Sequence, residues 1–291
     1  NYAGLKLGTW YPQGGFGKVV DGIVEVAKRN GANFHFNASV EKILTSNGKT
    51  NGIKVNGEDF SCDGVIASAD YHHVESQLLD VKEKNYSEDY WSKKTFAPSA
   101  LIYYLGVNKK IDSLNHHTLF FDESLAEHSK EIYKNPKWPT KPLFYVCCPS
   151  RTDDSVAPSG HENLFLLMPL APGLEDSDEM REKYFNVMLS RLENIKGENI
   201  LPHIIYKKSY CVNDFISDYN SFKGNAYGLA NTLMQTANLK PKIKNFKIEN
   251  LFYTGQLTVP GPGVPPAIIS GKVASGLLHK KLKLKQNEIT I

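Results

Sequence analysis

A glycine- and proline-rich loop between a predicted strand and a predicted helix is the feature that most narrows what this chain can fold into. The apolar run at 251–254 predicts the strand, and the helix is predicted from about 265 to 278. Between them Gly255, Gly261 and Gly263 carry no Cβ, so a flat ligand can lie against the backbone there. The length and order of this segment favour a ligand-binding site over a simple tight turn.

The first seventy residues predict an α/β layer. An apolar stripe beginning at Val19 and Val20 predicts an amphipathic helix that follows two glycines and ends at Asn30 and Gly31. Two Asn-Gly pairs, at 47–48 and 56–57, are typical of type I′ hairpins. The predicted strands cover 33–37, 40–44, 52–55, 59–62 and 65–67.

The middle of the chain predicts a mixed domain of strands and helices. Its strands are rich in aromatic residues and its helices carry apolar faces. The predicted strands are 101–105, 118–121, 143–148 and 163–168, and the predicted helices are 124–133 and 177–195. A chain of 291 residues is long enough for two such domains.

Composition excludes several classes of protein. With 41% apolar and 22% charged residues the chain is globular, and a net charge of +3 gives no reason to expect nucleic-acid binding. Four irregularly spaced cysteines predict neither a disulfide scaffold nor structural zinc, so we expect a reduced, cytoplasmic protein. No apolar run reaches the roughly 18 residues that a membrane-spanning helix needs.

Several motifs resemble the bacterial and fungal phytoene (carotenoid) desaturases. The C-terminal loop at 253–266, YTGQLTVPGPGVPP, is similar to the flavin-contacting signature of that family. The resemblance extends to Asp214-Phe215 and to the segments 219–229 (YNSFKGNAYGL), 233–237 (LMQTA), 8–17 (GTWYPQGGFG) and 40–43 (VEKI). These motifs cover both ends of the chain.

The resemblance implies an amine-oxidase-like flavoprotein fold with FAD as cofactor. It implies that 14–70 and 240–291 are parts of a Rossmann-like FAD-binding domain, that 71–239 form the substrate domain, and that 1–13 end a substrate-side segment. No GxGxxG motif for the ADP pyrophosphate occurs here, so we expect the C-terminal part of a longer protein. The implied flavin-binding residues are Val40 at the adenine, Gly255 and Gln256 at the ribityl chain, Gly261 and Gly263 at the ring, and Val264 and Pro265 at a helix N-terminus that stabilises negative charge on the reduced flavin.

The same resemblance implies a phytoene desaturase-like enzyme that introduces C=C bonds into a long isoprenoid by hydride transfer to flavin. Two alternatives stay open. One is a desaturase of a later or hydroxylated carotenoid, or an isoprenoid saturase. The other is a non-enzymatic protein of the same fold that binds a prenyl lipid.

Few other residues predict chemistry. Asp214 is a weak candidate proton acceptor, although a solvated or helix-capping role suits it better. The pairs His72-His73 and His116-His117 predict no metal site, because neighbouring residues on a strand point to opposite faces. Cys147 and Cys148 lie in an apolar run and are expected to pack as small hydrophobes.

The last predicted feature is a basic tail. Four lysines lie within residues 280–285, where they either attract an anionic membrane surface or form a solvated chain end. Because a carotenoid is insoluble in water, we expect peripheral association with a membrane.

Overall fold

The computed structural model describes residues 6–8 and 10–289, with side chains as far as residue 283. Its helices are α1 (Gly17–Arg29), α2 (Tyr71–Gln77), α3 (Glu88–Ser92), α4 (Leu125–Tyr133), α5 (Asp178–Lys196), α6 (Val212–Tyr219) and α7 (Val264–Ile289). Its strands are β1 (Val40–Ser46), β2 (Lys49–Val55), β3 (Glu58–Ser61), β4 (Val65–Ala67), β5 (Ser99–Val107), β6 (His117–Phe120), β7 (Phe144–Cys147), β8 (Glu162–Leu170), β9 (Ile204–Tyr210) and β10 (Leu251–Tyr253).

Strands β1, β2 and β3 form an antiparallel meander. Both connecting turns use the predicted Asn-Gly pairs, with φ of 49° and 72° at Asn47 and Gly48 and of 51° and 81° at Asn56 and Gly57. A type I′ turn needs positive φ at both central residues, and Asn and Gly adopt it with little strain. The two predicted hairpins are therefore confirmed.

Strands β4 and β10 pair in parallel, although most of the chain separates them. Leu251 lies beside Val65 and Tyr253 beside Ala67, so the carboxyl ends of both strands lie at the same edge. All three residues of β10 are buried, which fits the continuous apolar run expected of a parallel strand. This pairing sets the start of the glycine-rich loop beside the residues that follow β4.

A five-stranded antiparallel sheet forms the other large element, in the order β6-β7-β8-β5-β9. Side chains alternate between its faces, as they must along a strand. One face, with Leu101 and Leu166, joins α5 in a buried core. The opposite face carries Ile102, Tyr104 and Phe165, and it borders the cavity described below.

The structure corrects two details of the sequence-based prediction. No strand forms at 33–37, where Asn37 takes a φ of 54° that interrupts an extended segment and Phe36 stays 80% exposed. Helix α7 continues well beyond residue 278, so the basic tail is helical rather than an irregular chain end as far as residue 289. Helices α2 and α3 and strand β9 are additions that the pattern did not indicate.

The division into domains at residues 14, 71 and 240 stays a prediction. The described residues do form two buried clusters, and the one around β10 includes residues from α2 and α3 as well as from β1. Tyr71 and Trp91 therefore pack with the strands of the predicted FAD-binding domain.

A buried glutamate holds α2 against the end of β10. Glu75, only 1% exposed, accepts hydrogen bonds from the backbone N–H groups of Asn85 (2.7 Å) and Tyr86 (3.0 Å). The hydroxyl of Tyr253 donates a third, at 3.1 Å. Burial raises the pKa of this carboxyl to about 7, because desolvation outweighs the donated hydrogen bonds.

We expect this group to make stability depend on pH. Its pKa is higher in the folded protein than the ordinary 4.5, so the folded state binds more protons between these values. The free energy of unfolding should therefore fall as pH rises through that window. Urea unfolding between about pH 5 and about pH 8 should show this fall in the parent protein and a flatter profile in Glu75→Gln.

The exposed Glu58→Gln is the matched control and should keep the parent's pH profile. Parallel profiles for the parent and Glu75→Gln would show that Glu75 does not titrate in this range.

Candidate functional site

A cavity of about 880 Å³ opens at the carboxyl ends of β4 and β10. Its wall on this side consists of the residues that follow the two strands, Ser68 to Asp70 after β4 and Thr254 to Leu257 after β10. Ligands of α/β proteins bind in the crevice at the carboxyl ends of parallel strands, where the backbone groups diverge. The paired strands thus place a cavity where the sequence places its glycine-rich loop.

The opposite wall is apolar and aromatic. It is formed by the open face of the five-stranded sheet together with one side of α6. The sheet contributes Ala100, Ile102 and Tyr104 from β5 and Phe165 and Leu167 from β8, and α6 contributes Phe215 and Tyr219. We call this wall the apolar floor. It suits a long hydrocarbon ligand, while the loop side presents backbone and amide groups.

Positive φ angles shape the loop. Gly255 has φ of 102° and Gly263 has φ of 114°, both in the region that favours glycine. A Cβ on Gly255 would meet only the Ser68 carbonyl, 3.9 Å away, so the backbone faces open space there. Ser270 of α7 accepts a hydrogen bond from the Gly255 N–H at 2.9 Å, which fixes the loop to the helix.

An asparagine inside the cavity holds the loop from the other side. The side-chain oxygen of Asn225 accepts hydrogen bonds from the Gly228 N–H (2.7 Å) and from the amide of Gln256 (3.3 Å). Asn225 is 1% exposed and belongs to the segment 219–229 singled out in the sequence. Gly228 and Gln256 are therefore kept in close contact.

A buried lysine lies next to the loop, and the sequence pattern gave no signal for it. Lys240 is 2% exposed, and its Nζ lies 3.5 Å from the Leu229 carbonyl. A Cβ on Gly261 would be 3.0 Å from the Lys240 Cε, so any other residue there would crowd the end of this side chain. Burial lowers the pKa of the lysine.

The structure brings four of the seven residues implied for flavin binding to one cavity, namely Gly255, Gln256, Gly263 and Val264. Gly261 and Pro265 lie in the same loop and helix start without lining it. Val40 begins β1 in the separate meander and does not line this cavity.

Asp214 does not line the cavity either. Its carboxylate accepts a hydrogen bond from the Cys211 N–H at 2.8 Å and pairs with Arg181 at 2.8 Å. It therefore caps the start of α6, and the structure favours that role over proton transfer. The carboxyls that line the cavity are those of Asp70 and Asp218.

Asp70 was not a candidate in the sequence analysis, because no motif or predicted element set it apart from the other carboxylates. It does cap α2, accepting from the His72 N–H at 2.9 Å, and it also accepts from the Phe222 N–H at 3.3 Å. Desolvation nevertheless raises its pKa above the ordinary value.

The family model for flavin-containing amine oxidoreductases matches residues 1–279, almost the whole chain. The chain belongs to this family. Its cavity and glycine-rich loop are thus parts of a flavoprotein fold, as the sequence motifs predicted.

Curated relatives confirm the resemblance to desaturases. The chain is 42% identical to the carotenoid 3,4-desaturase of Haloarcula japonica, over 94% of this chain and 55% of that protein. It is 29% identical to the zeta-carotene-forming phytoene desaturase of Myxococcus xanthus, over 93% of this chain and 53% of that protein. It is 28% identical to the phytoene desaturase of Fusarium fujikuroi, over 99% and 54%. The chain thus spans about half the length of these relatives.

Solved structures confirm the fold. An oxidoreductase from Methanosarcina mazei matches with a TM-score of 0.63 at 16% identity, over 91% of this chain and 55% of that chain. A geranylgeranyl bacteriochlorophyll reductase-like protein from Thermoplasma acidophilum matches with a TM-score of 0.50 at 14% identity, over 93% and 59%. At such low sequence identities, the structural similarity supports the fold alone.

The family implies FAD, and the loop fits a flat cofactor. Gly255 and Gly263 give a cradle that a Cβ would narrow, and α7 begins at Val264 beside it. Pro265 and Pro266 lack a backbone N–H, but the N–H groups in the first turn of a helix have no partner within the helix. The two prolines therefore cost α7 no hydrogen bond.

Gly228→Ala should disturb the loop, because the new Cβ would lie 2.7 Å from the Gln256 carbonyl oxygen. Gly160→Ala is the matched control, since Gly160 has φ of 76° and nothing within 4 Å of its Cβ position. Left-handed backbone alone costs about 1–2 kcal/mol for alanine, and Gly228→Ala should lose more. Urea unfolding measures the loss, and absorbance of bound oxidised flavin in the full-length protein measures the site. If both variants lose the same free energy of unfolding and keep the same flavin content, the close contact between Gly228 and Gln256 would be contradicted.

Proposed function

We propose that the chain is part of an FAD-dependent carotenoid desaturase and supplies the cavity where flavin and polyene meet. The observation that carries this proposal is the composition of the cavity, with a glycine-rich loop on one side and the apolar floor on the other. A flat, polar cofactor suits the first surface and a long polyene the second. The names of the relatives support the same activity.

FAD, when bound, supplies the oxidant: it accepts a hydride from an allylic carbon of the polyene while a proton leaves the neighbouring carbon, which creates a C=C bond. The residues of this chain orient the reactants. The apolar floor holds the polyene and excludes water. The N-terminus of α7 and the buried Lys240 provide positive potential that stabilises negative charge near the loop.

Asp70 takes the place of Asp214 as the proposed proton acceptor. It lines the cavity and its raised pKa brings it closer to neutral pH, whereas Asp214 pairs with Arg181. A base is most effective when its pKa lies near the working pH.

The alternatives differ in substrate. The relative that is 42% identical is named for 3,4-desaturation, which favours a later carotenoid over phytoene. Retention of the full loop with its glycines favours an enzyme over a protein that only carries a prenyl lipid.

Product analysis tests the activity. The full-length protein with FAD should be incubated with liposomes that contain phytoene or an already conjugated carotenoid, and products separated by chromatography with mass detection. Loss of two hydrogens per step from either substrate supports a desaturase and identifies its class. Gain of hydrogens would indicate a saturase, and tight lipid binding without flavin or turnover would indicate a carrier.

Asp70→Asn and Asp214→Asn separate the two carboxyls. Asparagine at 70 can still accept the hydrogen bonds that cap α2, so folding and flavin content should persist while the rate of product formation falls about 10²- to 10⁴-fold. Asp214→Asn should lower stability by weakening the ion pair and leave the rate nearly unchanged. An unchanged rate of product formation in Asp70→Asn would show that Asp70 is not the proton acceptor.

Peripheral binding to a membrane is part of the proposal. Within residues 6–8 and 10–289, no helix is long and apolar enough to cross a bilayer. Lys280 and Lys283 are exposed near the end of α7, whereas Lys281 pairs with Glu249 at 2.7 Å. Exposed lysines near an anionic surface contribute about 1 kcal/mol each.

The double variant Lys280→Gln with Lys283→Gln should therefore bind anionic liposomes about thirtyfold more weakly at low salt. The difference should shrink at physiological salt, where the Debye length is about 8 Å. Lys93→Gln with Lys130→Gln removes exposed lysines elsewhere and serves as the control. Vesicle flotation measures both, and equal flotation of the two double variants would exclude the basic end of α7 as the contact.

A further inference from the structure

Two histidines and a cysteine lie together on the five-stranded sheet, away from the glycine-rich loop. His116, His117 and Cys147 each offer one ligand atom, and these atoms all lie within 4.8 Å of one another. Imidazole nitrogen and thiolate sulfur are the ligands that zinc-type ions prefer. The three ligand atoms are therefore close enough for one ion to bind all of them after small side-chain adjustments.

Strand pairing and chain direction produce this cluster. His117 and Cys147 are directly opposite each other in the β6–β7 register. His116 lies just before β6, and its ring centroid is 4.4 Å from that of His117. The premise that adjacent histidines point to opposite faces is wrong here, because only the second of them belongs to a strand.

The hydrogen bonds around the rings resemble those around metal ligands. His116 Nδ1 lies 2.5 Å from the Thr152 hydroxyl, and His117 Nδ1 lies 2.5 Å from the Tyr145 hydroxyl. Metal-binding histidines usually engage their second nitrogen in this way, which orients the ring. Each Nε2 is then the nitrogen left for an ion.

A buried polar atom supports this interpretation. His116 Nε2 is buried and has no hydrogen-bond partner among the described residues. Such an atom is costly to bury unless something satisfies it. An ion bound between the three side chains would remove the cost.

The cluster adjoins the floor of the cavity. Tyr104, Phe165, Cys147 and His117 are successive cross-strand partners on β5, β8, β7 and β6, and the first two line the cavity. The ring of Tyr11 packs edge-on against His116, with centroids 4.7 Å apart.

The segment around Tyr11 is also held by Asp153, the residue after the Thr152 that contacts His116. Asp153 accepts a hydrogen bond from the Gly14 N–H at 2.7 Å. Gly14 belongs to the family-like segment 8–17, so an ion at the cluster would lie where that segment meets the edge of the floor.

We propose that His116, His117 and Cys147 bind one Zn²⁺ ion. The thiol loses its proton to solvent on binding, and the three side chains leave one position of a tetrahedron open for water or another ligand. The ion would clamp edge strand β6 to β7 and fix the segment near Tyr11 against the floor. This site is independent of the proposed desaturase activity.

Metal content and spectroscopy test the site without turnover. Full-length protein without a histidine tag is stripped with chelator, then titrated with Zn²⁺ and, separately, with Co²⁺. We expect one Zn²⁺ per chain after dialysis and a rise in the unfolding temperature with Zn²⁺. Bound Co²⁺ should show a tetrahedral visible spectrum with a thiolate-to-cobalt band.

Matched variants locate the ion. Cys147→Ser should abolish the thiolate band, whereas Cys62→Ser, another half-buried cysteine, should keep it. The exposed His117→Asn should lose the ion, with His279→Asn as its control. Tyr145→Phe keeps the ring and removes the hydroxyl, and it should weaken Zn²⁺ binding about 10- to 100-fold.

Failure to retain Zn²⁺ in the parent protein would overturn the proposal, as would full retention in Cys147→Ser or His117→Asn. Circular dichroism checks that each variant folds. If His117→Asn does not fold, Tyr145→Phe decides, because unchanged Zn²⁺ affinity in that variant would contradict the assigned hydrogen-bonded ligand.

Discussion

The parallel pairing of β4 with β10 is the contact on which the site depends. Each strand has only three residues, so their backbone hydrogen bonds alone give little stability. Burial provides most of the stability of this pairing. Tyr253 stacks on Tyr71 with ring centroids 3.8 Å apart, and its hydroxyl donates a hydrogen bond to Glu75. This buried network fixes the exit of β10 and hence the course of the loop. A shift of one residue there would turn Gly255 away from the cavity.

The cavity combines two surfaces of different origin. The loop side is backbone-rich because glycines with positive φ remove side chains, and buried Asn225 and Lys240 support it. The floor is the sheet face that borders the cavity beside α6, while the opposite face is covered by α5. An antiparallel sheet often has one covered face and one open face. Here the open face is apolar, which is the physical basis for proposing a polyene substrate.

The sequence predicted much of the secondary structure. The two Asn-Gly hairpins and the start of α7 followed from local backbone chemistry, since turns and caps depend on a few neighbouring residues. The segment 33–37 was predicted wrongly, because alternation of Phe and polar residues indicates a strand only where a partner strand is available. The continuation of α7 was missed because the lysines of its last turns suit a helix end as well as a free tail.

By itself the sequence determined the family and the position of the glycine-rich loop between a strand and a helix. These features are local, and Gly255 or Gly263 indicates its backbone freedom directly. Only the tertiary structure decided that Asp70 rather than Asp214 borders the cavity, that Lys240 lies next to Gly261, and that His116, His117 and Cys147 meet. Most of these groups are far apart along the chain. Their neighbours depend on strand register and packing, which no local pattern encodes.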